Sequence, residues 1–169
     1  MTSATLLLDA NVWSHLVLSE LPMREKVAAQ LAALRLKYPD AAIATSAICV
    51  AECLVAARRL PDAADASRFE AVFKARFNQP GVLVVPVTEQ VLDQAAILRA
   101  NRLKLAASRG SQMAGAKGGK LLLPDAIIAA SCLAFNPSAV LVTANDGDFR
   151  YLEDGVEKTV ADLVLEKVG

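Results

Sequence analysis

The chain has 169 residues, and its 18 Lys and Arg balance its 18 Asp and Glu, which excludes attraction of a polyanion by bulk charge and leaves only local patches for that task. Hydrophobic residues make up 54% and aromatics 5%, which excludes a disordered or fibrous chain and fits one α/β domain with Ala-rich helices. No apolar run is long enough to cross a bilayer, and Met1 to Leu8 has no basic n-region before the acid Asp9, so a cytoplasmic protein without a signal peptide is expected.

Thr5 to Leu8 is a short apolar run that reads as a buried parallel strand ending at Asp9. A helix follows over about Asn11 to Leu18, and a second runs from Pro22 to about Tyr38, broken by Pro39-Asp40. Ala42 to Ala44 is the next strand. Thr45 or Ser46 is placed to cap a helix from Ala47 to about Arg59, closed by Pro61. Asp62 to Asn78 has Phe69, Val72, Phe73 and Phe77 on one helical face, a stripe that reads as core or partner groove. After the Gln79-Pro-Gly turn come a strand over Val82 to Val85 and a helix from about Glu89 to Leu105. Ala106 to Lys120 is rich in Gly, Ser and Lys and reads as a loop. A helix opens at Pro124, a strand spans Ala139 to Val142, and a turn runs from Thr143 to Phe149. Val156 to Val160 reads as a short edge strand and Ala161 to Val168 as a terminal helix. Alternating strands and helices predict a single domain over residues 1–169, with a mainly parallel sheet covered by helices on both faces.

Three carboxylates stand alone in apolar surroundings. Asp9 is the only charge between Met1 and Ser19, Glu52 the only one between Asp40 and Arg58, and Asp125 the only one from Leu121 to Asn145. Each has a plain structural role open to it: Asp9 as a turn acid, Asp125 as a helix-start acid worth ~0.5 kcal/mol, Glu52 as a partly exposed helix residue. Three such burials without a Lys or Arg in the same segments are improbable as coincidence, because an unpaired buried carboxylate costs about several kcal/mol. Either the carboxylates share protons, or they hold a divalent cation. Mg²⁺ and Mn²⁺ prefer oxygen ligands, and such a centre suits hydrolysis of a phosphate ester by a metal-activated water. Asn11 and Thr143 supply neutral polar groups at the same strand ends. Cys49, Cys53 and Cys132 read as buried, reduced thiols. Cys49 and Cys53 share a helix face, but with no companion His or Cys nearby a zinc site is not expected.

The motifs Leu7-Leu-Asp-Ala-Asn-Val12, Ser46-Ala-Ile-Cys-Val-Ala-Glu52, Leu123-Pro-Asp-Ala-Ile-Ile-Ala-Ala130 and Leu141-Val-Thr-Ala-Asn-Asp-Gly-Asp-Phe149, in that order, resemble the PIN-domain family, most of all the VapC-type toxins of type II toxin–antitoxin pairs. The resemblance spans nearly the whole chain and implies a PIN-like three-layer α/β fold. It also implies a Mg²⁺- or Mn²⁺-dependent ribonuclease, often a homodimer, inhibited by a cognate antitoxin. The family's catalytic, metal-binding acids carry over to Asp9, Glu52, Asp125 and Asp148. Asp148 is chosen because the last acid commonly precedes Phe, as here before Phe149, and Asp146 is the competing position. Asn11, Ser46 and Thr143 match accompanying polar positions. The sequence departs from the family in its longer Ala106 to Lys120 segment and in Asn136, where many relatives carry His.

An acidic centre repels RNA, so a ribonuclease needs cations at the rim. Arg99, Arg102, Lys104, Arg109, Lys117 and Lys120 form a run without acids and are the candidates, against the alternative of a solvated loop. Arg58-Arg59 serves either that rim or its own helix C-terminus. Trp13 and His15 read as packing residues. Two rival functions remain: a PIN fold kept only as a non-catalytic binding module, and an Asp-based phosphotransfer or receiver domain. The latter would want a second acid beside Asp9 and a later Lys, where this chain has Asn11 and Thr143.

Overall fold

The computed structural model describes residues 4–109, 121–135, 139–145, 149 and 164–169. Its elements in chain order are β1 (Thr5–Leu8), α1 (Ala10–Leu18), α2 (Leu21–Lys37), β2 (Ala42–Ser46), α3 (Ala47–Arg58), α4 (Ala63–Phe77), β3 (Val82–Val85), α5 (Glu89–Arg109), α6 (Leu123–Phe135), β4 (Ala139–Thr143) and β5 (Val164–Lys167). The strands form a five-stranded sheet in the order β3-β2-β1-β4-β5, with every neighbouring pair parallel. The chain builds outward from β1 to β2 and β3, then returns to the other side of β1 for β4. The order therefore reverses between β1 and β4, and the carboxyl ends of those two strands flank the crevice that such a reversal opens.

The period of two along the strands sorts the core into two layers. Leu7, Ala44, Val85 and Leu141 face one side and pack with Val91, Ala95 and Leu98 of α5 and Ala126 to Ala130 of α6. Leu6, Leu8, Val140 and Val142 face the other and pack with Val12 and Trp13 of α1, Val27 of α2, and Phe73 and Phe77 of α4. β1 and β4 are buried along their whole length, so they read as continuous apolar runs. The Phe stripe on α4 is core: Phe73 stacks on Phe77, and Trp13 meets Phe77 edge-on at 5.3 Å between centroids. No helix among the described residues is long and apolar enough to cross a membrane.

Two expectations change. The C-terminal segment expected as a helix forms β5, in register with β4 from Val140↔Val164 to Thr143↔Lys167. Its Glu and Lys favour helix locally, but Leu165 and Val168 lie on opposite core layers, which only an extended chain permits. Glu166 is then held on α2 by Lys37 and by the Tyr38 hydroxyl. The helix expected to end at about Leu105 continues as α5 through the good helix formers Ala106 and Ala107 to Arg109. The strand expected over Val156 to Val160 lies outside the described residues.

Candidate metal centre

Asp9 ends β1 and starts α1, with its backbone N–H bonded to the Val142 carbonyl at 2.9 Å. This fixes it at the crevice between β1 and β4. Only 4% of the residue is exposed. Its Oδ1 accepts from the Ala10 N–H at 2.6 Å. Its Oδ2 accepts from Asn11 Nδ2 at 2.7 Å and from Thr143 Oγ1 at 2.7 Å. Asn11 also receives the Ala144 N–H on its own Oδ1 at 2.9 Å, so one amide ties the end of β1 to the chain leaving β4. Asn11 and Thr143 thus hold the carboxylate in one orientation.

These bonds do not make the buried charge comfortable. Burial is the largest influence on Asp9 and, with the nearby Asp125 carboxylate, outweighs the three hydrogen bonds, so its pKa rises from 3.8 to about 6. Asp125 stands in the first turn of α6, near the positive end of that helix, half-buried and within electrostatic reach of Asp9. Glu52, half-buried on α3, completes the approach from the other side. Ligand atoms of Asp9, Glu52 and Cys49 all lie within 4.8 Å of one another. Among the described residues Oδ1 of Asp9 takes a single hydrogen bond, from the Ala10 N–H. A hard divalent cation suits this donor set: it takes carboxylate oxygens and removes the like-charge repulsion.

The structure thus gathers Asp9, Asn11, Thr143, Glu52 and Asp125 about the carboxyl ends of the inner strands. Ser46 ends β2, and its hydroxyl is turned to α6. Expected as a supporting polar group at the centre, Ser46 is fully buried and its hydroxyl meets Ser131 Oγ at 2.9 Å, while Ser131 donates to the Ile127 carbonyl at 2.8 Å. Its side chain does not cap α3 either. It is a rivet between α3 and α6, the helices that carry Glu52 and Asp125.

Of the basic candidates, Arg99 is exposed and its Nε donates to the Leu121 carbonyl at 3.2 Å. Arg102 is not a rim residue: it is 5% exposed, because it continues the buried stripe of Val91, Ala95 and Leu98 along α5. Arg58 is not spare for the rim, being bonded through Nε and Nη2 to Glu70 of α4. His15 bonds Ser19 Oγ through Nδ1 at 2.9 Å, at the far end of α1. Asp146, Asp148, Lys117 and Lys120, and the side chains of Lys104 and Arg109, lie outside the described residues.

Cys49, read from the sequence only as a buried thiol, joins Asp9 and Glu52. It is three positions before Glu52 on α3, a spacing that puts both on one helical face, and this was the available signal. Its thiol is fully buried, and burial together with the charge of Asp9 pushes its pKa well up.

A parallel sheet with a cluster of carboxylates at its reversal point defines an α/β protein built around an acidic, cation-ready centre. Residues 6–154 match the family model for the PIN domain, and the chain belongs to that family. Among solved structures it is similar to VapBC2 from Rickettsia felis bound to a promoter DNA fragment, at 18% identity over 96% of this chain and 98% of that one, with a TM-score of 0.65. It is similar to DNA-bound VapBC from Salmonella typhimurium at 16% identity, 97% and 98% coverage and a TM-score of 0.65. It is also similar to VapBC-5, a member of the VapBC family of toxin–antitoxin systems from Mycobacterium tuberculosis, at 19% identity, 99% and 100% coverage and a TM-score of 0.60. At these identities the likeness is one of fold. A comparison with curated proteins gave no match.

Proposed function

We propose that the chain is a divalent-metal-dependent endoribonuclease, the VapC-type toxin of a toxin–antitoxin pair. The observation that carries this is the grouping of Asp9 and Glu52, with Asp125 in electrostatic reach, at the point where the strand order reverses. Asp9, Glu52 and Asp125 would hold Mg²⁺ or Mn²⁺, with Asp148 or Asp146 as the fourth acid. Such an ion, when bound, orients a phosphate, helps activate water and offsets the charge that develops on the phosphate. The protein's own part is positional. Thr143 and Asn11 hold Oδ2 of Asp9, leaving Oδ1 for the cation. Burial keeps competing water from Asp9, and the Ser46–Ser131 contact fixes α3 against α6. Arg99, with Lys104, Arg109, Lys117 and Lys120, supplies the cationic rim for RNA.

The toxin assignment draws on the likeness to VapBC complexes, and a cognate antitoxin and a homodimeric state accompany it. The test is incubation of the purified chain with total cellular RNA in Mg²⁺, Mn²⁺ or EDTA, beside an Asp125→Asn control. Discrete fragments that need metal and vanish in the control support the proposal. A folded, antitoxin-free protein that cleaves nothing under any metal leaves a PIN fold used only for binding.

A further inference from the structure

We propose that Cys49 makes this centre a dual-affinity site: Mg²⁺ or Mn²⁺ sits on the carboxylates alone, while Zn²⁺ recruits the Cys49 sulfur as well and locks the nuclease off. This rests on Asp9 and Glu52 forming the cation site and concerns how that site is regulated.

Asp9, Glu52 and Cys49 come together where the residue after β1 meets the first two turns of α3. Cys49 and Glu52 are three apart on that helix and project toward the same end of β1. Asp9 and Cys49 are buried, while Glu52 is half-buried. Around a tetrahedral zinc, neighbouring sulfur and oxygen ligands are about 3.5 Å apart. The three ligand atoms here lie within 4.8 Å of one another, a little wider than that spacing. Among the described residues, Oδ1 of Asp9 accepts from the Ala10 N–H, and Oδ2 from Asn11 and Thr143.

Ligand chemistry separates the two classes of ion. Mg²⁺ and Mn²⁺ favour oxygen and leave the thiol protonated, whereas Zn²⁺, Co²⁺ and Cd²⁺ bind thiolate strongly. On zinc binding, the S–H proton passes to solvent and a Zn–S bond forms, with no change of oxidation state. Zinc then occupies Asp9 and Glu52, which the hard cation needs. Cys53 lies one turn further on, outside the group formed by Asp9, Cys49 and Glu52, and its Sγ donates to the Ala10 carbonyl at 3.6 Å. Cys132 is buried on α6 in the layer shared with α5.

The experiment is titration of the full-length chain with Co²⁺, read as the near-ultraviolet thiolate-to-cobalt charge-transfer absorbance, in wild type, Cys49→Ala, Cys49→Ser and Cys132→Ala. Far-UV circular dichroism verifies the fold of each, and Mn²⁺ binding is followed separately by electron paramagnetic resonance. The expected result is a band in wild type and Cys132→Ala that saturates at one ion per chain and is absent from whichever Cys49 variants fold. Inhibition of Mg²⁺-supported cleavage should then need Zn²⁺ concentrations higher by on the order of tenfold or more in Cys49→Ala. If Mn²⁺ binds but no cobalt–thiolate band forms, the inference about Cys49 is wrong and the carboxylate site stands. A band that persists without Cys49 also overturns it. If neither ion binds, both the site and the inference built on it fall.

Discussion

Thr143 Oγ1 donates to Asp9 Oδ2 at 2.7 Å across a separation of 134 positions. The bond joins the last residue of β4 to the residue that ends β1. It sits where the sheet reverses its strand order, and it orients a carboxylate on a residue only 4% exposed. The Thr143 hydroxyl also accepts the Asn145 N–H at 3.0 Å, so it serves the site and the turn at once.

Thr143→Val keeps the shape and removes that hydroxyl. It should destabilise the protein by about 1–3 kcal/mol, since a buried carboxylate loses a donor and the Asn145 N–H loses an acceptor. Urea denaturation with and without Mg²⁺ measures it. A variant as stable as wild type, with unchanged Mn²⁺ affinity, would show that the bond does not matter to either.

The raised pKa of Asp9 fixes a sign for the pH dependence of stability. A carboxylate whose folded-state pKa lies above its unfolded value binds the proton more tightly when folded. Its contribution is fully present below pH 3.8 and is lost as pH rises through about 6. For metal-free protein the loss is about 3 kcal/mol at most. The difference between wild type and Asp9→Asn isolates it from other groups. Wild type should lose stability relative to the variant between about pH 4 and pH 7, and Mg²⁺ should restore wild type alone. A difference that stays flat over this range would contradict the assignment.

Asp125→Asn removes a like charge from beside Asp9. Cleavage should fall by on the order of a hundredfold or more. In the same variant the Asp9 transition should move down from about 6, because Asp125 is one of the groups that raises it. Observing the pH shift without the loss of cleavage would place Asp125 near the site but outside the chemistry.

Arg102 and Arg99 should separate. Arg102→Ala leaves a hole in the buried stripe of α5 and should cost about 2–4 kcal/mol, read as a lower Tm. Arg99→Ala, at an exposed position, should change stability by no more than about 0.5 kcal/mol while weakening RNA binding, most clearly at low salt. The reverse pattern would put Arg102 on the RNA surface.

Ser131→Ala leaves the buried Ser46 hydroxyl without its partner and should cost about 1–2 kcal/mol. A decrease in Mn²⁺ affinity alongside it would mark the rivet as a positioning element for Glu52 and Asp125. Unchanged affinity would limit it to packing.

The sequence by itself determined most of the sheet and its helices. Runs such as Thr5 to Leu8 and Ala139 to Val142 are too apolar and too short to be anything but buried strands, and Pro22, Pro39 and Pro61 punctuate the helices between them. It also singled out Asp9, Glu52 and Asp125, because a lone carboxylate among apolar residues is a desolvation problem that local structure does not solve. Tertiary structure decided what depends on distant partners. The segment at Val164 is a strand because β4 offers an edge and two core layers claim its alternate side chains. Ser46 and Ser131 meet because α3 crosses α6, and Arg102 is buried because it falls on the inner stripe of α5. Cys49 joins the acids because β1 happens to end beside its turn of α3. Local propensity carries no information about such encounters, since each depends on residues far apart in the chain that only packing brings to a common place.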